Sequence, residues 1–161
     1  MRGIHLKVQQ AFPNEVLEVH DQAGDETVVV RAERLVEIIE YLREHPEIAM
    51  NVLMDLTAVD GLAMKWVPRF EVVYHLYSVT KNLRLRIKVR VPENNLYVPT
   101  LTGVWPAADW FEREVWDMFG IRFEGHPNLK RILMYAEFSG HPLRKDYPYN
   151  KRQPLPGIKD E

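Results

Sequence analysis

The stretch from Phe70 to Val91, FEVVYHLYSVTKNLRLRIKVRV, contains two consecutive strand-like runs. The first, residues 70–79, is rich in aromatic and β-branched residues. The second, residues 83–91, alternates apolar side chains with Arg84, Arg86, Lys88 and Arg90. Alternation with a period of two predicts strands that have one apolar and one polar face. The short link at residues 80–82 predicts that the two strands form an antiparallel hairpin.

The segments on either side of this hairpin predict further strands and helices. Strand patterns occur at residues 15–20, 27–31 and 51–59, and the first two of these predict a second hairpin. Apolar residues recur at helical spacing in residues 4–11, 32–45 and 107–119, and Gly120 is a typical helix end. The sequence therefore predicts an α+β fold: a mixed or antiparallel sheet of about four to six strands, with helices packed on one face and followed by an extended C-terminal tail.

The predicted domain covers residues 1–121, and residues 122–161, here called the tail, follow it. The tail contains five of the 11 prolines and keeps no helical or strand periodicity, but it is rich in aliphatic and aromatic residues. Ordering such a segment costs about 1–2 kcal/mol of backbone entropy per residue. We therefore expect the tail to gain its shape by lying against a partner protein, with an interface of obligate size.

Composition excludes several classes of function. The 161 residues include no cysteine, which excludes disulfides, thiolate-bound iron–sulfur clusters and a cysteine nucleophile. The formal net charge of −2 argues against a general nucleic-acid binder. The sequence lacks a membrane-length apolar run, a signal peptide and a glycine-rich phosphate loop. We expect a protein that is soluble or peripheral on the cytoplasmic side.

Four groups of residues allow a functional and a structural interpretation. Glu112 and Glu114 lie about 160° apart on the helical wheel and cannot grip one substrate together, so hydrogen bonds to arginines or backbone amides are expected of them. His126 and His141 lack the spacing of metal ligands and are expected to hold turns through backbone hydrogen bonds. The basic strand face is expected to be solvated or docked on an acidic neighbour. Trp110 and Trp116 fall outside the apolar arc of their helix, so either a partner or the chain itself covers them.

A longer motif begins just before the third predicted helix and runs through it. Residues 105–133 read WPAADWFEREVWDMFGIRFEGHPNLKRIL, and residues 140–148 read GHPLRKDYP. Over about 45 residues this stretch closely resembles the motif of the C subunit of the proton-pumping NADH-quinone oxidoreductase family, respiratory complex I. Upstream of it the resemblance is one of layout, a compact α/β domain.

The resemblance implies a subunit of the hydrophilic arm, peripheral on the cytoplasmic face of the bacterial plasma or inner membrane. Such a subunit is non-catalytic alone and carries no cofactor, since FMN and iron–sulfur clusters belong to partner subunits that pass electrons from NADH to quinone. Its tail would pack on the quinone-site subunit, a relative of hydrogenase large subunits, near iron–sulfur subunits. The residues we predict to bind partners are Trp110, Trp116, His126, Arg131, His141, Arg144, Lys145, Asp146 and Tyr147.

Three alternatives stay open at this point. The nearest is the equivalent subunit of a membrane-bound hydrogenase or formate-linked complex. The others are a stand-alone hydrolase that uses Glu114 and His126, and an RNA-binding module built on the basic strand, which would bind with a steep salt dependence.

Overall fold

A computed structural model of the chain describes residues 3–154 and 157. Its helices are α1 (Ile4–Ala11), α2 (Leu35–Glu44) and α3 (Ala108–Phe119). Its strands are β1 (Val16–His20), β2 (Thr27–Val30), β3 (Val52–Asp60), β4 (Phe70–Ser78), β5 (Leu83–Val91), β6 (Tyr97–Pro99) and β7 (Arg122–Glu124). Short 3₁₀ turns occupy Gln22–Gly24, Ala32–Arg34 and Leu62–Met64, so the predicted helix at 32–45 begins with such a turn.

Five strands form one mixed sheet in the order β1-β2-β5-β4-β3. Both predicted hairpins are confirmed, because β1 pairs antiparallel with β2 and β4 pairs antiparallel with β5. The connection between the hairpins is parallel: β2 lies beside β5, with Val28 opposite Ile87. The crossover from β2 to β5 through other elements makes the sheet mixed.

The helices and one face of the sheet enclose a single core. The apolar side of α2, with Leu35, Ile38, Ile39 and Leu42, is fully buried. It joins Ile87 and the other inward side chains of the alternating strands in one cluster, to which α1 and α3 also contribute. Each such side chain contributes about 1.5–3 kcal/mol on burial. This arrangement confirms the predicted α+β fold.

The basic face of β5 is balanced by acidic groups of the same chain. Lys88 Nζ lies 3.0 Å from Glu71 Oε2, and Arg86 Nη2 donates to Asp25 Oδ2 at 2.8 Å. Arg90 pairs with Glu18, while Arg84 lies over the ring of Tyr77. The sheet therefore neutralises much of the positive charge on which an RNA-binding interpretation depends.

The structure adds a small second sheet that the sequence pattern did not predict. Strand β6 pairs in parallel with β7, with Val98 opposite Phe123. Val98 and Phe123 are both buried in the core. The first three residues of the tail thus pair with the domain through β7, and of these three Phe123 is the buried one. The boundary after Ile121 stays a prediction. Three-residue strands are too short to show a period-two pattern.

Beyond Glu124, the described part of the tail is irregular and contains turns but no helix or strand. Within residues 3–154 and 157, the structure contains no helix that is long and apolar enough to cross a membrane.

Candidate functional site

The tail is held against the C-terminal half of α3 by the carboxylate of Asp117. This side chain is fully buried, and its Oδ2 accepts the backbone N–H groups of Ile132 (3.1 Å), Leu133 (2.8 Å) and Met134 (2.9 Å). Its Oδ1 accepts a hydrogen bond from Arg131 Nη1. One carboxylate therefore fixes four consecutive tail residues, and charge-assisted bonds of this kind are about twice as strong as neutral ones.

Three side chains of the tail also donate hydrogen bonds to backbone carbonyl groups. Arg131 Nη2 donates to the carbonyl oxygens of Phe138 (2.8 Å) and Gly140 (3.0 Å). His141 Nδ1–H donates to the carbonyl of Asp117 at 3.0 Å, and Arg144 Nε donates to that of Phe119 at 2.6 Å. The carbonyls of Asp117 and Phe119 lie in the last turn of α3, where they lack intrahelical partners, so N–H donors from the tail satisfy them.

A second anchor ties the tail to the end of β3. Arg69 donates to both oxygens of Asp60, at 2.9 and 2.7 Å, and to both oxygens of Asp146, at 3.1 and 2.9 Å. Asp60 Oδ2 also accepts the backbone N–H of Lys145 at 2.8 Å. Asp60 and Arg69 are buried, whereas Asp146 is half exposed. The buried ion pair of Asp60 and Arg69 thus binds a third charged group, the carboxylate of Asp146 in the tail.

The pKa values of the two anchoring carboxyls follow from these bonds. Burial would raise the pKa of Asp60, but hydrogen bonds from Arg69, Lys145 and Leu62 outweigh burial and lower it to about 2. For Asp117, burial is likewise outweighed by the Met134 amide, Arg131 and the other amides, so the pKa lies below its ordinary value. Both groups are therefore carboxylates at neutral pH.

Gly120 allows the tail to cross the end of α3 at close range. It has a φ of 79°, the left-handed conformation that ends helices. A Cβ at this position would lie 2.7 Å from both Arg144 Nη2 and His141 Nε2. Glycine is thus needed here for the backbone turn and for the space that the tail occupies.

Several polar groups of the tail point inward, while several large apolar side chains point outward, beside exposed polar ones such as Glu137, Lys145 and Lys151. Leu133 is 57% exposed, Leu143 is 49% exposed and Tyr149 is 99% exposed. Trp110 on α3 is 68% exposed. Single exposed apolar residues are ordinary, but large ones on a segment that is otherwise pinned down are typical of an interaction surface.

The structure gives most of the predicted partner-binding residues contacts inside the chain. Trp116 is half-buried under Arg131, whose guanidinium lies 5.7 Å from the ring, so the two tryptophans differ: the tail covers Trp116 and leaves Trp110 outside. Tyr147 stacks on Phe138 and accepts a hydrogen bond from Gln153. The side chain of Lys145 is exposed.

His126 and Glu112 form a separate buried cluster between α3 and the loop after β6. Glu112 Oε1 accepts the backbone N–H of Leu101 at 2.7 Å, and its Oε2 lies 2.5 Å from Thr100 Oγ1. His126 Nδ1 accepts the backbone N–H of Asn128 at 3.0 Å, and Nε2 lies 3.2 Å from the carbonyl oxygen of Asp109. Burial raises the pKa of Glu112 to about 7. The expected backbone hydrogen bonds of Glu112, His126 and His141 are thereby confirmed, and Glu114 is exposed, away from Glu112.

Sequence reasoning missed the three residues that organise the tail, Asp117, Asp60 and Arg69. Helical periodicity could not have marked Asp117, because it lies outside the apolar arc of α3, beyond Trp110, on the side that the tail covers. Arg69 and Asp60 lie at the ends of neighbouring strands and are joined only by the tertiary fold. In the described part of the chain, no three His, Asp or Glu side chains form a possible metal site.

These features define the protein as an α+β domain whose C-terminal segment is strapped across its third helix. The family described as "Respiratory-chain NADH dehydrogenase, 30 Kd subunit" matches residues 28–153. The C subunit of NADH-quinone oxidoreductase from Roseiflexus sp. (strain RS-1) is 50% identical over 88% of this chain and 80% of its own length. The corresponding subunit from Geotalea uraniireducens is 45% identical over 94% and 92%.

Two solved structures have a similar fold. The trypsin-resistant fragment (1-134) of Nqo5 is 34% identical with a TM-score of 0.67, over 77% of this chain and 96% of the fragment. A chain of the membrane-bound sulfane sulfur reductase, an archaeal respiratory membrane complex, is 26% identical with a TM-score of 0.71, over 98% and 96%. The chain belongs to the family of the 30 kDa subunit of respiratory-chain NADH dehydrogenase, the C subunit of NADH-quinone oxidoreductases.

Proposed function

We propose that this chain is the non-catalytic C subunit in the hydrophilic arm of a proton-translocating NADH-quinone oxidoreductase, needed for assembly and for docking on the quinone-site subunit. The complex moves electrons from NADH through FMN and iron–sulfur clusters, which its partner subunits hold, to quinone. The chain itself carries no cofactor and sits peripherally on the cytoplasmic face of the membrane, which it contacts through the complex.

One observation carries the docking proposal: inward-pointing polar groups fasten the tail, and three of its large apolar side chains stay exposed. Asp117 and Arg69 hold the polar side of the tail on its own domain, while Leu133, Leu143 and Tyr149 face outward. A segment that is already ordered loses less conformational entropy on binding, so a larger share of its apolar contact area contributes to affinity. The partner in this proposal is the quinone-site subunit, which the family resemblance implies, with adjacent iron–sulfur subunits beside it.

The contacts within the chain change the roles that we propose for the predicted partner-binding residues. Arg131, His141, Arg144 and Asp146 act mainly by holding the tail in shape, and His126 acts within the α3 cluster. Trp110 and the exposed side chain of Lys145 stay candidates for direct contact with the partner. Trp116 and Tyr147 support the surface from below.

The test is co-purification of the tagged chain from membranes in mild detergent. A triple variant, Leu133→Ser with Leu143→Ser and Tyr149→Ser, is expected to fold but to recover at most about a tenth of the quinone-site subunit, because losing three apolar anchors exceeds 1.4 kcal/mol, the equivalent of tenfold. A control replaces Leu6, Leu17 and Val79, which are exposed elsewhere on the domain, by serine. Normal recovery with the tail variant, or equal loss with the control, would refute docking through the tail.

The related-complex alternative has weaker support. A chain of an archaeal respiratory membrane complex shares the fold, but the relatives of 44–50% identity are C subunits of NADH-quinone oxidoreductases. Flavin and iron content of the co-purified assembly separates the two: an FMN-bearing NADH-oxidising module is expected, and a complex without it would favour the hydrogenase or formate-linked type.

A further inference from the structure

The cluster around Glu112 links α3 to the short parallel sheet and is not used by the tail surface. Glu112 is fully buried, and so is the side chain of His126, whose Nε2 lies 4.0 Å from Glu112 Oε2. Tyr74 of β4 is buried nearby with its hydroxyl unpaired, and Asp109 lies one turn earlier on α3. Four elements of the fold thus meet at one carboxyl group.

Both ring nitrogens of His126 are engaged with groups other than Glu112. Nδ1 accepts the Asn128 N–H at 3.0 Å, and Nε2 lies 3.2 Å from the carbonyl oxygen of Asp109, so the 4.0 Å between Nε2 and Glu112 Oε2 is not a hydrogen bond. Asp109 adds negative charge to the same surroundings, which further disfavours a second anion.

The threonine hydroxyls give the carboxyl group a place to donate. Thr100 Oγ1 accepts the backbone N–H of Thr102 and lies 3.0 Å from Thr102 Oγ1. If Glu112 donates its proton to Thr100 Oγ1, the Thr100 hydroxyl can donate onward to Thr102, and Oε1 still accepts the Leu101 N–H. Every polar atom in this chain of bonds is then satisfied without a buried charge.

We infer that Glu112 joins α3 to residues 100–102 as a buried, neutral carboxylic acid, and that this junction loosens when the group ionises. The direction of the pH dependence follows. A group that binds its proton more tightly in the folded than in the unfolded chain stabilises the fold fully at low pH, and this contribution is lost as pH rises. The loss runs from the ordinary value of 4.5 up to about 7, the pKa of the folded state.

The test compares the full-length wild type with Glu112→Gln by chemical denaturation from pH 5 to pH 8. The amide reproduces the neutral acid, because its oxygen accepts from Leu101 and its NH₂ donates to Thr100. Relative to this variant, the unfolding equilibrium constant of the wild type should rise by a factor on the order of 50–100 over this range. The control Glu114→Gln, exposed on the same helix, should follow the wild type.

A variant that is destabilised equally at pH 5 and pH 8 would show that Glu112 acts as an ionised structural carboxylate and would overturn the inference. If Glu112→Gln does not fold, infrared spectroscopy of the wild type at pH 6 decides. Ordinary carboxyls are ionised at that pH, so a C=O band of a protonated acid is expected, and its absence would overturn the inference.

Discussion

At the scale of single residues, buried carboxylates determine how this chain is held together. Asp117 and Glu112 lie five positions apart on the same helix and are both fully buried, but their surroundings differ. Asp117 receives four donors, one of them a guanidinium, and stays ionised. Glu112 receives one amide and a hydroxyl that can reverse its direction, so it favours the neutral acid. The number and charge of the donors decides between the two states.

Replacing Asp117 by asparagine tests the first of these roles. The variant keeps the shape of the side chain but leaves Arg131 without its anion. We therefore expect the free energy of unfolding to fall by about 3–5 kcal/mol, the usual cost of breaking a buried ion pair. The control is Glu114→Gln. Urea denaturation at pH 7 measures both, and a change in Asp117→Asn as small as that of the control would contradict the anchoring role.

Urea denaturation of the same variants at acid pH tests the direction of the pH dependence. Because the pKa of Asp117 is lower in the folded chain, its contribution is present above the ordinary value of 3.8 and is lost as pH falls through the folded pKa. The difference between wild type and Asp117→Asn should therefore shrink as pH falls below about 4. This is opposite in direction to the effect of Glu112.

At the scale of elements, the junction between α3 and the tail depends on Gly120. Gly120→Ala combines left-handed strain, about 1–2 kcal/mol, with displacement of Arg144 and His141. Gly24→Ala is a matched control, since Gly24 has a φ of 83° and open space around its Cβ position. We expect Gly120→Ala to be clearly less stable than the control and to expose the tail to trypsin, as measured by denaturation and limited proteolysis. Equal effects would show that the tail does not rest on Gly120.

Periodicity predicted most elements, because the strands and helices that line a common core must repeat apolar residues at their own spacing. Strand β5 and helix α2 are the clearest cases, and both occur where expected. Periodicity did not predict strands β6 and β7, because a run of three residues is too short to show a repeat. Asp117 and Arg69 were not predicted as anchors of the tail for a different reason. Apolar burial was expected to order the tail, whereas hydrogen bonds to these two residues hold it in place.

At the scale of the whole molecule, the fold presents a domain with a tail fixed along one side. The outer face of the sheet balances its own charges, with Glu71 and Glu18 set against Lys88 and Arg90. Under the proposed docking role, Leu133, Leu143 and Tyr149 of the tail are the exposed side chains that a neighbour would cover. The central claim is that the chain shapes this surface itself, through polar contacts, before the partner subunit covers it.

Hydrogen exchange of the purified full-length chain, followed residue by residue with and without the partner complex, tests this claim most directly. The amides of Ile132, Leu133 and Met134, which donate to Asp117, should exchange far more slowly than in an unfolded chain even without a partner. In Asp117→Asn this protection should fall. Exchange at the unfolded rate in the isolated chain, with protection appearing only in the complex, would contradict the account.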